Sequence, residues 1–149
     1  MFDALGTRLT VALAAVLIAF LGLAGLALEN AFERSSEQAV RERLQVQVYL
    51  LLGATGTDGA GAPTVPETVP EPRLATPDSG LYAAIRADGR TLWHSESSLG
   101  RQIAWPEGGA PGNPVFRRTS TGSGAELFAL RYPVQWEIGQ DSRRLVFLV

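Results

Sequence analysis

The chain has 149 residues, a net charge of −2, no cysteine and a single histidine. That length allows one modest domain beyond a membrane segment, not two. The absence of cysteine excludes disulfides, thiolate catalysis and cysteine-based metal sites, and no basic excess points to a nucleic-acid partner.

Residues 1–8 form a short tail before the apolar run. Leu9 to Leu28 is a run of twenty residues without a charge. At about 1.5 Å per helical residue it spans roughly 30 Å, the hydrocarbon thickness of a bilayer. A helix of that length pairs its own backbone N–H and C=O groups, as lipid requires. Signal peptides have shorter apolar regions, roughly 7–15 residues, so the length favours an anchor. Gly25-Leu26-Ala27 nevertheless has the small-residue character of a cleavage site. Arg34, Arg41 and Arg43 follow the run and only Arg8 precedes it. Counted alone, these charges favour a cytoplasmic C-terminal side.

Residues 29–52 contain neither glycine nor proline. Phe32, Ser36, Val40, Leu44, Val48 and Leu52 recur every fourth residue, with a charged face opposite. The spacing predicts an amphipathic helix continuous with the membrane run. Its apolar stripe is expected to pack on the chain's own domain. Phe32, Val40, Leu44 and Val48 are also the candidates for pairing with a second copy and for carrying a signal.

Residues 53–79 hold five of the nine prolines and four glycines, which predicts a loop or extended linker. Glu67, Glu71 and Asp78 lie in it, and solvated charges are expected there rather than a cation site.

From Gly80 to Val149 the texture is that of strands. Residues 81–86 alternate, Asp88-Gly89 is a strong hairpin turn, and 91–95 form the returning strand. Further strands are expected at 115–119, 126–132, 133–138 (opened by Pro133) and 143–149. Turns at Thr121-Gly122-Ser123-Gly124 and Gly139-Gln140-Asp141 separate them. Five or six such strands predict an antiparallel sheet covered on one face by the helix, an α+β fold. The last five residues are all apolar, so the chain is expected to be part of something longer.

No catalytic or metal-binding constellation is present. His94 alone cannot make a histidine-rich metal site or serve a triad, and it is expected at the sheet margin, sharing a face with Leu92. Gly122-Ser123-Gly124 lacks the lysine and following helix of a phosphate loop. Arg117-Arg118 is expected to be a solvated strand end. Tyr82, Trp93 and Trp136 are the candidate ligand-binding aromatics, with core packing the commoner role for such residues.

The segment from Ser79 to Ser95 resembles the first sensor hairpin of PhoQ-like bacterial sensor histidine kinases. Leu26-Ala27-Leu28-Glu29-Asn30-Ala31-Phe32 and Arg41-Glu42-Arg43-Leu44 resemble the helix that precedes it there. The resemblance implies a PAS-like extracytoplasmic sensor domain in a homodimeric two-component kinase of the inner membrane. It places residues 1–8 in the cytoplasm and the sheet domain in the periplasm, against the arginine count, with a second membrane helix expected after the sheet. ATP and Mg²⁺ would belong to a cytoplasmic kinase module beyond this chain, which would pass phosphate to a response regulator; no cofactor is expected here. Cation-sensing members carry a dense run of carboxylates, from which this chain departs. The residues leave other readings open: a non-enzymatic anchored envelope binding or scaffold protein, or the same sensor coupled to a cyclase or chemoreceptor output. An exported enzyme with a cleaved leader fits least well.

Overall fold

The computed structural model describes residues 3–59, 62–65, 68–69, 71–138 and 141–149. Glu67 and the turn expected at Gly139-Gln140 lie outside the described residues. The chain divides into two compact units, Met1–Ala39 and Val40–Val149. A single helix, α1 (Asp3–Ala54), contributes to both. It contains no proline and is rich in alanine and leucine, the residues that cost least in a helix.

In the first unit, Thr7–Glu29 is long and apolar enough to cross a membrane, with a mean hydropathy of 2.7. Leu9, Ile18, Phe20 and Leu28 are exposed. Hydrocarbon is the solvent in which such a surface carries no hydration penalty.

In the second unit α1 ends at Ala54. The Thr55 N–H and Thr55 Oγ1 both donate to the Leu51 carbonyl, at 2.9 and 2.8 Å. The helix face in the core is Leu44, Gln47, Val48 and Leu51 rather than the full four-residue series. A strict step of four advances about 40° beyond each turn, so the series from 32 to 52 walks roughly 200° around the helix. A buried face needs steps of three and four together, and only Leu44 and Val48 belong to both patterns.

The Pro/Gly-rich segment is more structured than a linker. Strands β1 (Gly56–Thr57) and β2 (Pro63–Thr64) form a two-residue ladder. A 3-10 turn, Pro72–Ala75, follows; the Glu71 carboxylate accepts the Arg73 N–H at its start. That turn delivers Leu74, 1% exposed, into the same cluster as Leu44, Val48 and Leu51.

The main sheet has five strands: β3 (Ala84–Ala87), β4 (Arg90–His94), β5 (Val115–Ser120), β6 (Glu126–Ile138) and β7 (Asp141–Leu148). Every pairing is antiparallel and the order is β4-β3-β7-β6-β5. Asp88 and Gly89 join β3 to β4 with φ of 50° and 79°, the two left-handed residues of a tight hairpin. A β-bulge in this pair sets Ile85 against Trp93 and Arg86 against Thr91, leaving Leu92 unpaired. His94, paired with Ala84, lines a cavity with Thr91 and Arg86.

Pro133 does not open a new strand: it lies inside the 13-residue β6. Leu130 exchanges both backbone bonds with Val149, so even-numbered β6 residues direct N–H and C=O toward β7 and odd-numbered ones away from it. The missing N–H of Pro133 therefore falls on the β5 side. There β5 has already ended, Val115 being opposite Arg131. No ladder bond is lost.

Strand β7 is central and buried on both faces. Leu145, Phe147 and Val149 join the cluster beneath α1, with Ile85 and Leu130. Val146 and Leu148 join Ala84 on the opposite face, against which Trp105 packs. Double burial accounts for the continuous apolar run at 145–149.

Candidate functional site

The aromatics proposed from sequence take two different places. Tyr82 is buried and lines a space of about 30 Å³, room for about one water. Trp93 and Trp136 are half-buried and pack against the core beneath α1. Trp136 Nε1 is buried there without a hydrogen-bond partner. On α1, Leu44 and Val48 are buried, Val40 packs partly against the same cluster, and Phe32 is 73% exposed.

The weaker motifs are structural. The Thr121–Gly124 turn is held by the Gly122 N–H donating to Gln102 O at 2.7 Å and the Gly124 N–H to Thr121 O at 2.8 Å. Arg117 and Arg118 are exposed on the edge strand β5, and the Arg118 guanidinium lies 5.1 Å from the centroid of the Phe128 ring. Among the described residues no group of three or more His, Asp or Glu could hold a metal ion.

The distinctive chemistry lies on the sheet face away from α1. Register sets Arg86 of β3 opposite Val146 of β7, and Val146 opposite Pro133 of β6. Arg144 lies two residues before Val146 on β7, and Arg131 two before Pro133 on β6. With a side-chain period of two, all three arginines share the face of Val146. Their strand neighbours Ile85, Leu130, Leu145 and Phe147 confirm this by pointing into the core beneath α1.

Arg86, Arg131 and Arg144 line a cavity of about 430 Å³ with Asp88, Gly89 and Val146. Arg131 is held in place by its Nε, which donates to the Gly108 carbonyl at 2.7 Å. Arg86 Nε is buried without a hydrogen-bond partner. Asp88, the one acid of the lining, has a side chain 62% exposed, and its Oδ2 is 4.0 Å from Arg143 Nε. Burial, and then the positive charge of Arg86, lower the pKa of Arg131; Glu107 opposes the shift and Arg144 adds to it. An arginine so perturbed stays protonated at neutral pH, so the lining is a fixed cluster of cations. Arg86 also borders a second cavity of about 290 Å³, with His94, Arg101 and Trp105.

Sequence reasoning missed this cluster. Each arginine stands alone in an alternating strand, where it reads as an ordinary outward residue, and 45 or more positions separate Arg86 from the other two. The only local signal was that each sits at an alternate position between core residues. The arrangement can bind and orient an anion, but it holds no nucleophile or general base aimed at one. No family model matches the chain, and no curated protein or solved structure matches it either.

Proposed function

We propose that this chain is the membrane-anchor and periplasmic sensor portion of a bacterial two-component sensor histidine kinase, a homodimer of the inner membrane. In this reading the apolar part of α1 is the first membrane helix and the sheet is a PAS-like sensor domain. A stimulus biases the sheet between two packings, and α1 carries the bias toward a kinase module outside this chain. ATP and Mg²⁺ would act in that module, and a response regulator would be its partner.

The observation that carries the reading is the continuity of α1. One unbroken helix, Asp3–Ala54, includes both the membrane-length segment and the residues Leu44, Val48 and Leu51 that belong to the sheet's core. A change in sheet packing therefore acts directly on that helix. The strand order supports the PAS-like part: counted within the sheet it is 2-1-5-4-3, all antiparallel, after a helix that packs on one face. The Asp88-Gly89 hairpin supports the resemblance of residues 79–95.

The test is a chimera. Residues 1–149, joined to the second membrane helix and kinase module of a characterised sensor kinase, are expected to give a reporter output that varies with helical phase. Successive single alanines inserted after Ser35 rotate one half of α1 against the other by about 100° each. Output that rises and falls with this rotation supports coupling through α1; output indifferent to it argues against the reading. A compartment-sensitive reporter fused after Val149 is expected to read periplasmic. A cytoplasmic readout, or release of a shortened soluble product, is incompatible with the proposal.

A further inference from the structure

The arginine cluster has a physical cost that Glu107 and Asp88 offset only in part. Like charges gathered on one sheet face repel, and Arg131 records the repulsion from Arg86 and Arg144. A buried guanidinium Nε–H is a donor that native structures normally satisfy, yet that of Arg86 is unmatched. Arg144 is exposed and Arg131 half-buried, so the cost is concentrated at Arg86, whose buried Nε–H has no partner.

We propose that the cavity lined by Arg86, Arg131 and Arg144 binds a small soluble oxyanion carrying at least two negative charges, of the di- or tricarboxylate or phosphate-ester class. Guanidinium forks match carboxylate and phosphate oxygens in pairs, which suits cations fixed on strands. Three arginines stand against one aspartate in the lining, and the exposed Asp88 carboxylate also lies 4.0 Å from Arg143 Nε. A single negative charge would leave the site with excess positive charge. The space, about 430 Å³, lies in the range of small-molecule sites and exceeds what a lone inorganic ion fills. Val146 lies in the lining between the arginines and is the apolar surface there that a short carbon backbone can touch. Arg131 is oriented by the Gly108 carbonyl, so the loop carrying Gly108 is the element most directly coupled to occupancy.

This inference names the ligand class for the sensor reading and rests on that reading only for the consequence of binding. Binding itself is measured on the full chain in detergent micelles, by thermal unfolding and calorimetry. Succinate and citrate represent the carboxylates; glycerol 3-phosphate and inorganic phosphate represent the phosphates. Sodium chloride at matched ionic strength is the control. At least one of the two classes is expected to raise the unfolding temperature saturably above the chloride control. Arg86→Gln and Arg144→Gln are each expected to weaken that binding about tenfold or more, while Arg117→Gln on the edge strand leaves it unchanged. Arg144 is exposed, so its variant tests the site even if Arg86→Gln folds poorly.

No saturable effect from any of these anions overturns the proposal. So does an effect that survives intact in folded Arg86→Gln and Arg144→Gln proteins. A response confined to vesicles containing phosphatidylglycerol overturns it in favour of a lipid surface. If the anion binds but leaves chimera output unchanged, the sensor reading fails and the site stands. If output follows helix phase and no anion binds, the site fails and the sensor reading stands.

Discussion

The Pro133 carbonyl accepts a 2.9 Å hydrogen bond from the Gly112 N–H. This bond lies on the side of β6 where β5 has ended, so the loop before β5 takes the place of a strand. It satisfies the Pro133 carbonyl where no strand neighbour is present, and it holds the Gly108–Gly112 loop against the sheet.

That loop makes a sharp prediction. Gly108 and Gly109 both have positive φ, 91° and 82°. A Cβ at Gly108 meets open space, whereas one at Gly109 sits 3.0 Å from Asn113 O and 3.0 Å from Val115 Cγ2. Gly108→Ala is expected to cost about 1 kcal/mol from backbone strain alone. Gly109→Ala adds a clash with backbone and is expected to cost about 2–3 kcal/mol. Urea unfolding of the two variants measures the gap; equal losses would refute a tightly packed loop.

Leu74 tests whether the proline-rich segment is docked. Its side chain is almost fully buried in the cluster beneath α1. Leu74→Ala is expected to lower the unfolding free energy by about 2–4 kcal/mol, as for other buried leucines. A loss under about 0.5 kcal/mol would mean that the segment behaves as a free linker.

Ser97 secures the start of β3 from the other side. Its Oγ donates to the Leu81 carbonyl at 2.7 Å and lies 2.8 Å from Ser95 Oγ. Ser95 Oγ in turn accepts the Ala83 N–H at 2.9 Å. Ser97→Ala removes the shorter of two hydrogen bonds to the Leu81 carbonyl, which keeps the 3.2 Å bond from Ser79 Oγ, and takes a buried partner from Ser95 Oγ; it is expected to cost about 1–2 kcal/mol. Ser98→Ala, at a half-buried position, is expected to cost less. Chemical denaturation of both variants decides the order, and the reverse order would be inconsistent with a buried serine pair.

Tyr132 predicts a loss of stability in alkali. Burial, then the hydrogen bond and charge interaction with Tyr49, raise its phenol above the usual value of 10.0. Folded Tyr132 thus keeps its proton where the unfolded chain has begun to lose it. The contribution is complete below about pH 10 and falls as pH rises through the folded value. Denaturant midpoints between about pH 9 and 11 are expected to decline more steeply for the native chain than for Tyr132→Phe. Parallel curves would show that Tyr132 titrates alike in both states.

Much of the architecture was legible in local pattern. The apolar run set the membrane-length helix, alternation located the strands within a few residues, and Asp88-Gly89 marked the hairpin. The helix face was read less well. A four-residue repeat looks like a stripe on paper, but packing selected Leu44, Val48 and Leu51 and left Phe32 exposed. Leu74 was hidden among prolines, because nothing local distinguishes a docked leucine from a solvated one. Tyr82, Trp93 and Trp136 are large buried or half-buried side chains, and only the fold shows that Tyr82 and the tryptophans occupy different places.

The sequence by itself determined what depends on neighbours in the chain: the length of the apolar helix, the turn residues with positive φ, and the alternation that gives each strand two faces. Only the tertiary structure decided which face of each strand meets α1, why Pro133 is tolerated, and that Arg86, Arg131 and Arg144 share one cavity. Those outcomes depend on register between strands far apart in the chain. A period of two assigns an arginine to a face, but only long-range backbone pairing decides which other side chains stand beside it.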